Sequence, residues 1–353
     1  MVKALIAHKV GGEFQVGEWE KPVPKGNEIL IKNKVVALNP VDWKQIKYNY
    51  AVPQWPFVVG ADTAGVVEAV GPDVKNLKPG DRVFSYAKIG VPNYGTYAEY
   101  SLLVGNLSAK IPPNLSFEEA ATIGLGTLTS AVVLYHEFKL SRPREHQSFF
   151  RPEYFLIWGG SSSTGNYAIQ LAKLSGYTVI TTASPHQHAY LQELGADVVI
   201  DRSDPEAVTK IREITRGRLR YAYDTVSSAT ADLAAQALDQ ERESHLAVIA
   251  GAPTGSYPKV KVHSVSTGFA VLERRPYLTP PYHPITTGCR EEGNSFGISF
   301  YEELGELLTA GVLRPNRYEV LPNGLAGIPE GHARLAAGKV SGVKLVVRVE
   351  ETP

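Results

Sequence analysis

One stretch limits what this chain can become: Tyr154-Phe155-Leu156-Ile157-Trp158-Gly159-Gly160-Ser161-Ser162-Ser163-Thr164-Gly165, with a second apolar run from Tyr177 to Ala183. Phe155 to Trp158 predict a buried strand, and two glycines end it. Ala168, Ile169, Leu171, Ala172 and Leu174 give a helix one apolar face, which stops at Gly176. Thr178 to Thr182 are β-branched throughout and predict a second strand. Strand, glycine turn, helix, strand is the first βαβ unit of a dinucleotide-binding domain. Such a turn aims backbone N–H groups and a helix N-terminus at a diphosphate. A glycine turn alone would equally well cap a core helix in an unrelated α/β protein, but the flanking strands favour the nucleotide.

Where a middle glycine would let the backbone approach the pyrophosphate, this turn has hydroxyls. Gly160, Ser161, Ser162, Ser163 and Thr164 are the expected phosphate-holding residues, with side-chain contacts in place of close main-chain approach. The end of the second strand reports on the ribose. An NAD site places Asp or Glu there, whereas this chain reads Ala183-Ser184-Pro185-His186-Gln187-His188. Ser184 can bond a 2′-phosphate and His186 or His188 adds charge when protonated, so NADPH is the expected cofactor. The alternative is a Ser-Pro turn with two solvated histidines.

The chain has 353 residues, enough for two domains with a substantial core. Acids and bases balance at 36 each, so nothing points to nucleic acid or an anionic membrane. No run has the length and apolarity of a membrane span. Met1 to Lys9 reads as a strand rather than a secretory leader, and a cytoplasmic enzyme is the default. Cys289 is the single cysteine, which excludes an intrachain disulfide and a four-thiolate zinc site. It reads as an incidental loop residue.

Residues 1–115 alternate in short runs bounded by Gly, Pro and Asn: Glu28 to Lys32, Gly65 to Gly71, Gly80 to Phe84 and Gly95 to Tyr100. In this order ahead of the nucleotide fold, they resemble the medium-chain dehydrogenase/reductase superfamily. The resemblance implies an α/β fold: a GroES-like β-rich catalytic domain plus a Rossmann domain with a doubly wound parallel sheet. The expected division is 1–128 for the first part of the catalytic domain, 129–298 for the Rossmann domain, and 299–353 for a return to the catalytic domain. Zinc alcohol dehydrogenases of that superfamily carry a metal-binding cysteine where this chain reads Asn39-Pro40-Val41-Asp42-Trp43-Lys44. They carry Gly-His-Glu where it reads Gly60-Ala61-Asp62. The expectation is therefore no metal, and reduction of carbon–carbon double bonds conjugated to a carbonyl.

Asn39 to Lys44, the run Ala120 to Thr129, the serine turn, Ser184 to His186 and Lys339 to Val347 together resemble the fungal trans-acting enoyl reductases that partner polyketide synthases. The likeness spans essentially the whole chain. It implies that Val41, Asp42, Trp43 and Lys44 contact NADPH, with Lys44 near the reacting carbons and Thr129 lining the same cleft as a second catalytic residue that assists position. By the same carry-over, Ser184, Pro185, His186 and Gln187 read the ribose phosphate, while Ile249, Ala250, Gly342 and Val343 approach the nicotinamide. The acyl pocket falls to Ser130, Ala131, Val132, Val133 and Leu134, then Gly268, Phe269, Ala270, Val271 and Leu272. Arg202, where the family often has a tyrosine, either strengthens 2′-phosphate binding or is a solvated loop residue. Read without the family, Lys44 is an ordinary exposed lysine, Thr129 permits close helix packing, and Asp42 is an N-cap for the segment after it.

The loop from Lys139 to Pro152 carries arginines beside two phenylalanines and is either a solvated insertion or a grip for a carrier domain's phosphate. Prolines at 253, 258, 276, 280, 281 and 284 make the following edge poorly suited to pairing between subunits, so a monomer is expected. Hydride transfer from NADPH to the β-carbon of a polyketide-type α,β-unsaturated thioester, on an acyl carrier domain of a synthase, is the reading these residues support. A stand-alone quinone or enone reductase and a non-reducing polyketide-binding protein are the alternatives.

Overall fold

The computed structural model describes residues 1–145, 151–265 and 288–353, with the side chains of the last segment from residue 295 on. Gly268, Phe269, Ala270, Val271 and Leu272, the prolines at 276, 280, 281 and 284, residues 146–150 and the Cys289 side chain lie outside the described residues. Two compact units emerge: Met1–Leu125 with Gly268–Pro353, and Gly126–Thr267.

In the first unit the alternating runs become strands around a long central one. These are β1 (Val2–Ala7), β2 (Phe14–Trp19), β3 (Glu28–Ala37), β4 (Phe57–Val58), β5 (Asp62–Val70), β6 (Arg82–Tyr86), β7 (Tyr100–Val104) and β8 (Ser108–Lys110). β3 pairs with β5 along one edge. Its other edge is shared, Glu28–Lys32 with β7 and Val35–Ala37 with the late strand β16 (Lys344–Arg348). Asn33, between the two partners, is buried, and its side chain bonds the Ala98 carbonyl, Ser101 and Thr63. A buried amide thus satisfies the polar groups where the ladder changes partner. The order is β15-β16-β3-β5-β6-β8, where β15 is Tyr318–Leu321, with a separate sheet β2-β1-β4. Ile29, Ile31, Val67, Val83 and Leu103 form one core cluster, and Leu5, Val36, Leu38, Phe57 and Val347 belong to another.

The run Gly95 to Tyr100, expected as a strand, is a loop up to Glu99 with the strand beginning at Tyr100. Gly95 explains the difference. A Cβ there would lie 2.0 Å from the Val58 carbonyl oxygen, and the crossing chain leaves only an isolated bridge between Ala98 and Ala4.

The second unit holds β9 (Tyr154–Trp158), β10 (Thr178–Ala183), β11 (Val198–Asp201), β12 (Tyr221–Asp224), β13 (Ser244–Val248) and β14 (Val260–Ser264). All pair in parallel, in the order β11-β10-β9-β12-β13-β14. Counted from β9, that is the 3-2-1-4-5-6 order of a doubly wound sheet. The central strands β9, β10, β12 and β13 are almost wholly buried, as such a sheet requires. Trp158, Phe155 and Tyr223 are fully buried in it. No helix among the described residues is long and apolar enough to cross a membrane.

Candidate active site

In an open parallel sheet, ligands bind beyond the carboxyl ends of the strands, at the point where strand order reverses. Here that point lies between β9 and β12. β9 runs into Gly159 and Gly160, then into helix α4 (Ser163–Leu174). Gly159 has φ +90°, and a Cβ on it would meet Val226 and Thr225. Gly165 is required for another reason: its Cβ would lie 2.4 Å from the Gly159 carbonyl oxygen. The first turn of α4 is thereby laid against the end of β9, which places its N–H groups over the crevice.

The hydroxyls of this turn do not share one role. Ser162 is the N-cap: its Oγ accepts the Gly165 N–H at 2.9 Å and donates to Thr225 Oγ1 at 2.9 Å. Its hydroxyl thus bonds within the protein, to Thr225, and lies 3.3 Å from Thr164 Oγ1. Ser161, Ser163 and Thr164 are half-buried around it.

Ser184, at the end of β10, is half-buried, with Pro185 and His186 exposed and Gln187 buried. The Arg202 N–H donates to the Ala183 carbonyl at 3.0 Å, which sets Arg202, exposed, at the same strand end as Ser184. The nearby Asp201 carboxylate accepts from the N–H and hydroxyl of Ser203, which hold it below the usual carboxylate range. Ile249 and Ala250 follow the carboxyl end of β13. The phosphate turn, the Ser184–Arg202 corner and the Ile249–Ala250 step thus share one edge of the sheet.

Helix α3 (Gly124–Ala131) runs into a π-helix, Val132–Glu137. Ser130 donates to the Thr164 carbonyl at 2.8 Å, and Tyr135 to the Leu171 carbonyl. Ser130, Ala131, Val132, Val133 and Leu134 have no exposed surface, and Thr129 is buried as well. Ser130 and Tyr135 thereby tie this segment to α4.

Within the first unit, α1 (Pro40–Tyr48) carries Val41, Asp42, Trp43 and Lys44. Asn39, not Asp42, is its N-cap. Asp42 sits at the third helical position and its Oδ2 accepts the Asn39 N–H at 2.8 Å, the return half of a capping box. The same Oδ2 accepts the Tyr97 hydroxyl at 2.6 Å, and that hydroxyl lies 3.1 Å from His332 Nε2. Asp42 is fully buried. Burial pushes this carboxyl up to about 7 and the His332 imidazole down to about 3. Beside it, Asp62 Oδ2 accepts from Asn39 Nδ2 at 3.0 Å and Lys344 Nζ at 3.1 Å, and Asp62 Oδ1 from the Leu125 N–H. Lys344 also donates to Asn39 Oδ1. Gly342 takes φ +70° just before it, and Val343 is half-buried, so the Gly342–Val343 step is tied to the start of α1. Lys44 is half-buried, with Nζ 5.7 Å from the Trp43 ring centre.

The Alcohol dehydrogenase GroES-like domain family matches residues 25–113 and the Zinc-binding dehydrogenase family residues 164–266. Trans-enoyl reductase ACTTS2 of Alternaria alternata is 34% identical over 99% of both chains. The chain belongs to the trans-enoyl reductase family. A shorter match, to trans-enoyl reductase TOXD of Cochliobolus carbonum, is 42% identical over 64% of this chain and 75% of that one. An alcohol dehydrogenase superfamily protein from Novosphingobium aromaticivorans superposes with a TM-score of 0.81 at 24% identity, covering 99% of this chain and all of that one, and shows the shared fold. Within this trans-enoyl reductase family member, no group of three or more His, Cys, Asp and Glu among the described residues is placed to hold a metal ion.

Sequence reasoning missed Tyr97, His332, Asp62, Lys344 and Thr225 as parts of the site's framework. Only Lys344 left a trace, as a lysine opening the apolar run Leu345-Val346-Val347.

Proposed function

We propose that the protein is an NADPH-dependent, metal-free enoyl reductase acting on an α,β-unsaturated polyketide-type thioester presented by a synthase's acyl carrier domain. The observation that carries this reading is the cofactor edge of the second unit. Its glycines leave no room for Cβ atoms at the first turn of α4, and a hydroxyl and a guanidinium stand where an NAD site has a carboxylate. The residues fit the cofactor: the α4 N-terminus takes the diphosphate, and Ser184 with Arg202 takes the 2′-phosphate.

When bound, NADPH supplies the hydride that goes to the β-carbon. Lys44 is the residue we assign to the acyl oxygen, where its ammonium, or a water it orients, stabilises the enolate that hydride addition leaves. Trp43 stacks beside it and Asp42 fixes the turn that carries both. Thr129, buried on α3, supports the position of α4. Carbonyl activation by a metal has no role in this scheme.

The test follows NADPH absorbance with α,β-unsaturated pantetheine thioesters, with and without an α-methyl group, beside a quinone panel. Thioester turnover without quinone turnover supports the reading, and quinone turnover alone overturns it. Lys44→Ala is expected to lower kcat at least 100-fold while NADPH affinity changes little, a loss confined to the transition state.

A further inference from the structure

The first unit buries a chain of three titratable side chains whose proton chemistry the scheme above does not use. Asp42 and Tyr97 are fully buried, and His332, 5% exposed, is the only one of the three with any accessible surface. Tyr97 has one proton to give. When it donates to ionised Asp42 Oδ2, its oxygen must accept from His332 Nε2–H, so the bonds all point toward Asp42. The two ends of the chain, Asp42 Oδ1 and His332 Nδ1, are both buried without a hydrogen-bond partner. A buried polar atom left unpaired is costly, and one at each end of a directed chain marks a system with a second arrangement.

We propose that Asp42, Tyr97 and His332 form a proton-linked positioning relay for α1, the helix that carries Lys44. The transfers balance. A proton taken up at His332 Nδ1 releases Nε2–H to the Tyr97 oxygen, and the proton of Tyr97 passes to Asp42 Oδ2. At the end Asp42 is neutral and donates to Tyr97, Tyr97 donates to His332 Nε2, and His332 is again neutral with its proton on Nδ1. Nothing is oxidised or reduced, and one proton has crossed from the histidine to the start of α1.

The consequence falls on the helix. Ionised, Asp42 accepts the Asn39 N–H in a charge-assisted bond and opposes the positive end of the α1 dipole. Neutral, it does neither as strongly, and the first turn of α1, with Trp43 and Lys44 behind it, is held less firmly. Besides Tyr97 and His332, the groups facing Asp42 are Asp62 on β5, whose charge favours protonation, and Lys344 on β16, whose charge opposes it. Burial pushes the carboxyl up to about 7, the pH at which the relay would switch between its arrangements.

This inference rests on the enoyl reductase reading for its link to turnover, and the test separates the two. The infrared band of a buried protonated carboxyl, assigned by its loss in Asp42→Asn, is titrated without substrate in wild type, Tyr97→Phe and His332→Leu. Beside it, kcat/KM for the thioester is measured against pH. Tyr97→Phe removes the donor to the ionised carboxylate and is expected to move the midpoint up by about one pH unit. His332→Leu removes the acceptor that the neutral state needs and is expected to move it down. The kcat/KM inflection should follow the band in both variants. Loss of rigidity alone would not give opposite shifts. Unmoved midpoints, or same-sign shifts, overturn the relay. Absence of thioester turnover at any pH overturns the enoyl reductase reading, while the infrared titration still decides the relay. If one variant does not fold, the sign of the other's shift decides.

Discussion

Replacing Lys344 by Met removes an internal cation and leaves its shape nearly filled. Lys344 and Asp62 are 4% and 0% exposed at the side chain, with Nζ 3.1 Å from Oδ2. After the change, the Asp62 carboxylate keeps two neutral donors, Asn39 Nδ2 and the Leu125 N–H, and loses its charge partner in a site water does not reach. Removing one member of a buried pair costs about 3–5 kcal/mol. The two remaining donors put Lys344→Met at the lower end, about 3 kcal/mol. The assay is urea unfolding at pH 7 followed by circular dichroism. With a slope of about 3 kcal/mol per molar for a chain this long, the midpoint should fall by about 1 M at unchanged slope. Adding Asp62→Asn removes the orphaned charge and should recover most of the loss, to within about 1 kcal/mol of wild type. A single variant that loses less than about 1 kcal/mol would falsify the reasoning, and so would a double variant no better than the single.

Three further outcomes can be checked. Ser162→Ala should lower stability by about 1 kcal/mol through loss of the α4 cap, and if its hydroxyl stays bonded to Thr225 when the cofactor binds, titration calorimetry should find NADPH affinity changed less than about threefold. Arg202→Ala should weaken NADPH binding about 10-fold or more and leave NADH binding unchanged, the loss of a charge-assisted bond to the 2′-phosphate; equal losses for both cofactors would remove Arg202 from the ribose corner. Asp42 has its carboxyl raised in the folded state to about 7, so the stability it contributes is full below the unfolded value near 4 and is lost as pH rises through about 7. Asp42→Asn should therefore flatten the fall in melting temperature between pH 4 and 7, and an unchanged slope would assign that fall to other groups.

What the sequence made legible is what neighbouring residues decide. The nucleotide unit was readable because its strand, glycines, helix and second strand are contiguous from Tyr154 to Ala183, and each signal depends on residues a few positions away. The serine turn was readable as a turn. The split between Ser162 as cap and its neighbours was not, because it depends on Thr225, which β12 brings alongside. The framework of α1 was least legible. Asn39, Asp42, Asp62, Tyr97, His332 and Lys344 are scattered over three hundred positions and converge only when β3, β5 and β16 align. Asp42 passes for an N-cap because an acid near a helix start is ordinary, and the capping box that makes it the third residue depends on Asn39 being outside the helix. Tyr97 passes for a strand residue because its neighbours alternate, and only the pressure of Gly95 on Val58 bends the chain away.

The long strand β3 has a consequence for how the chain is made. Its second edge is half built from β7 and half from β16, and β16 ends at Arg348. During synthesis, residues 126–267 can close their parallel sheet as soon as they emerge, since every strand in it lies within that span. The first unit, begun earlier, must wait with one edge of Val35 to Ala37 open and Asp62 without its ammonium until β16 leaves the ribosome. Loss of the chain from Lys344 onward would leave an open sheet edge and a buried uncompensated carboxylate in the same unit. Stop codons and proteolytic nicks that remove β16 should therefore act on solubility.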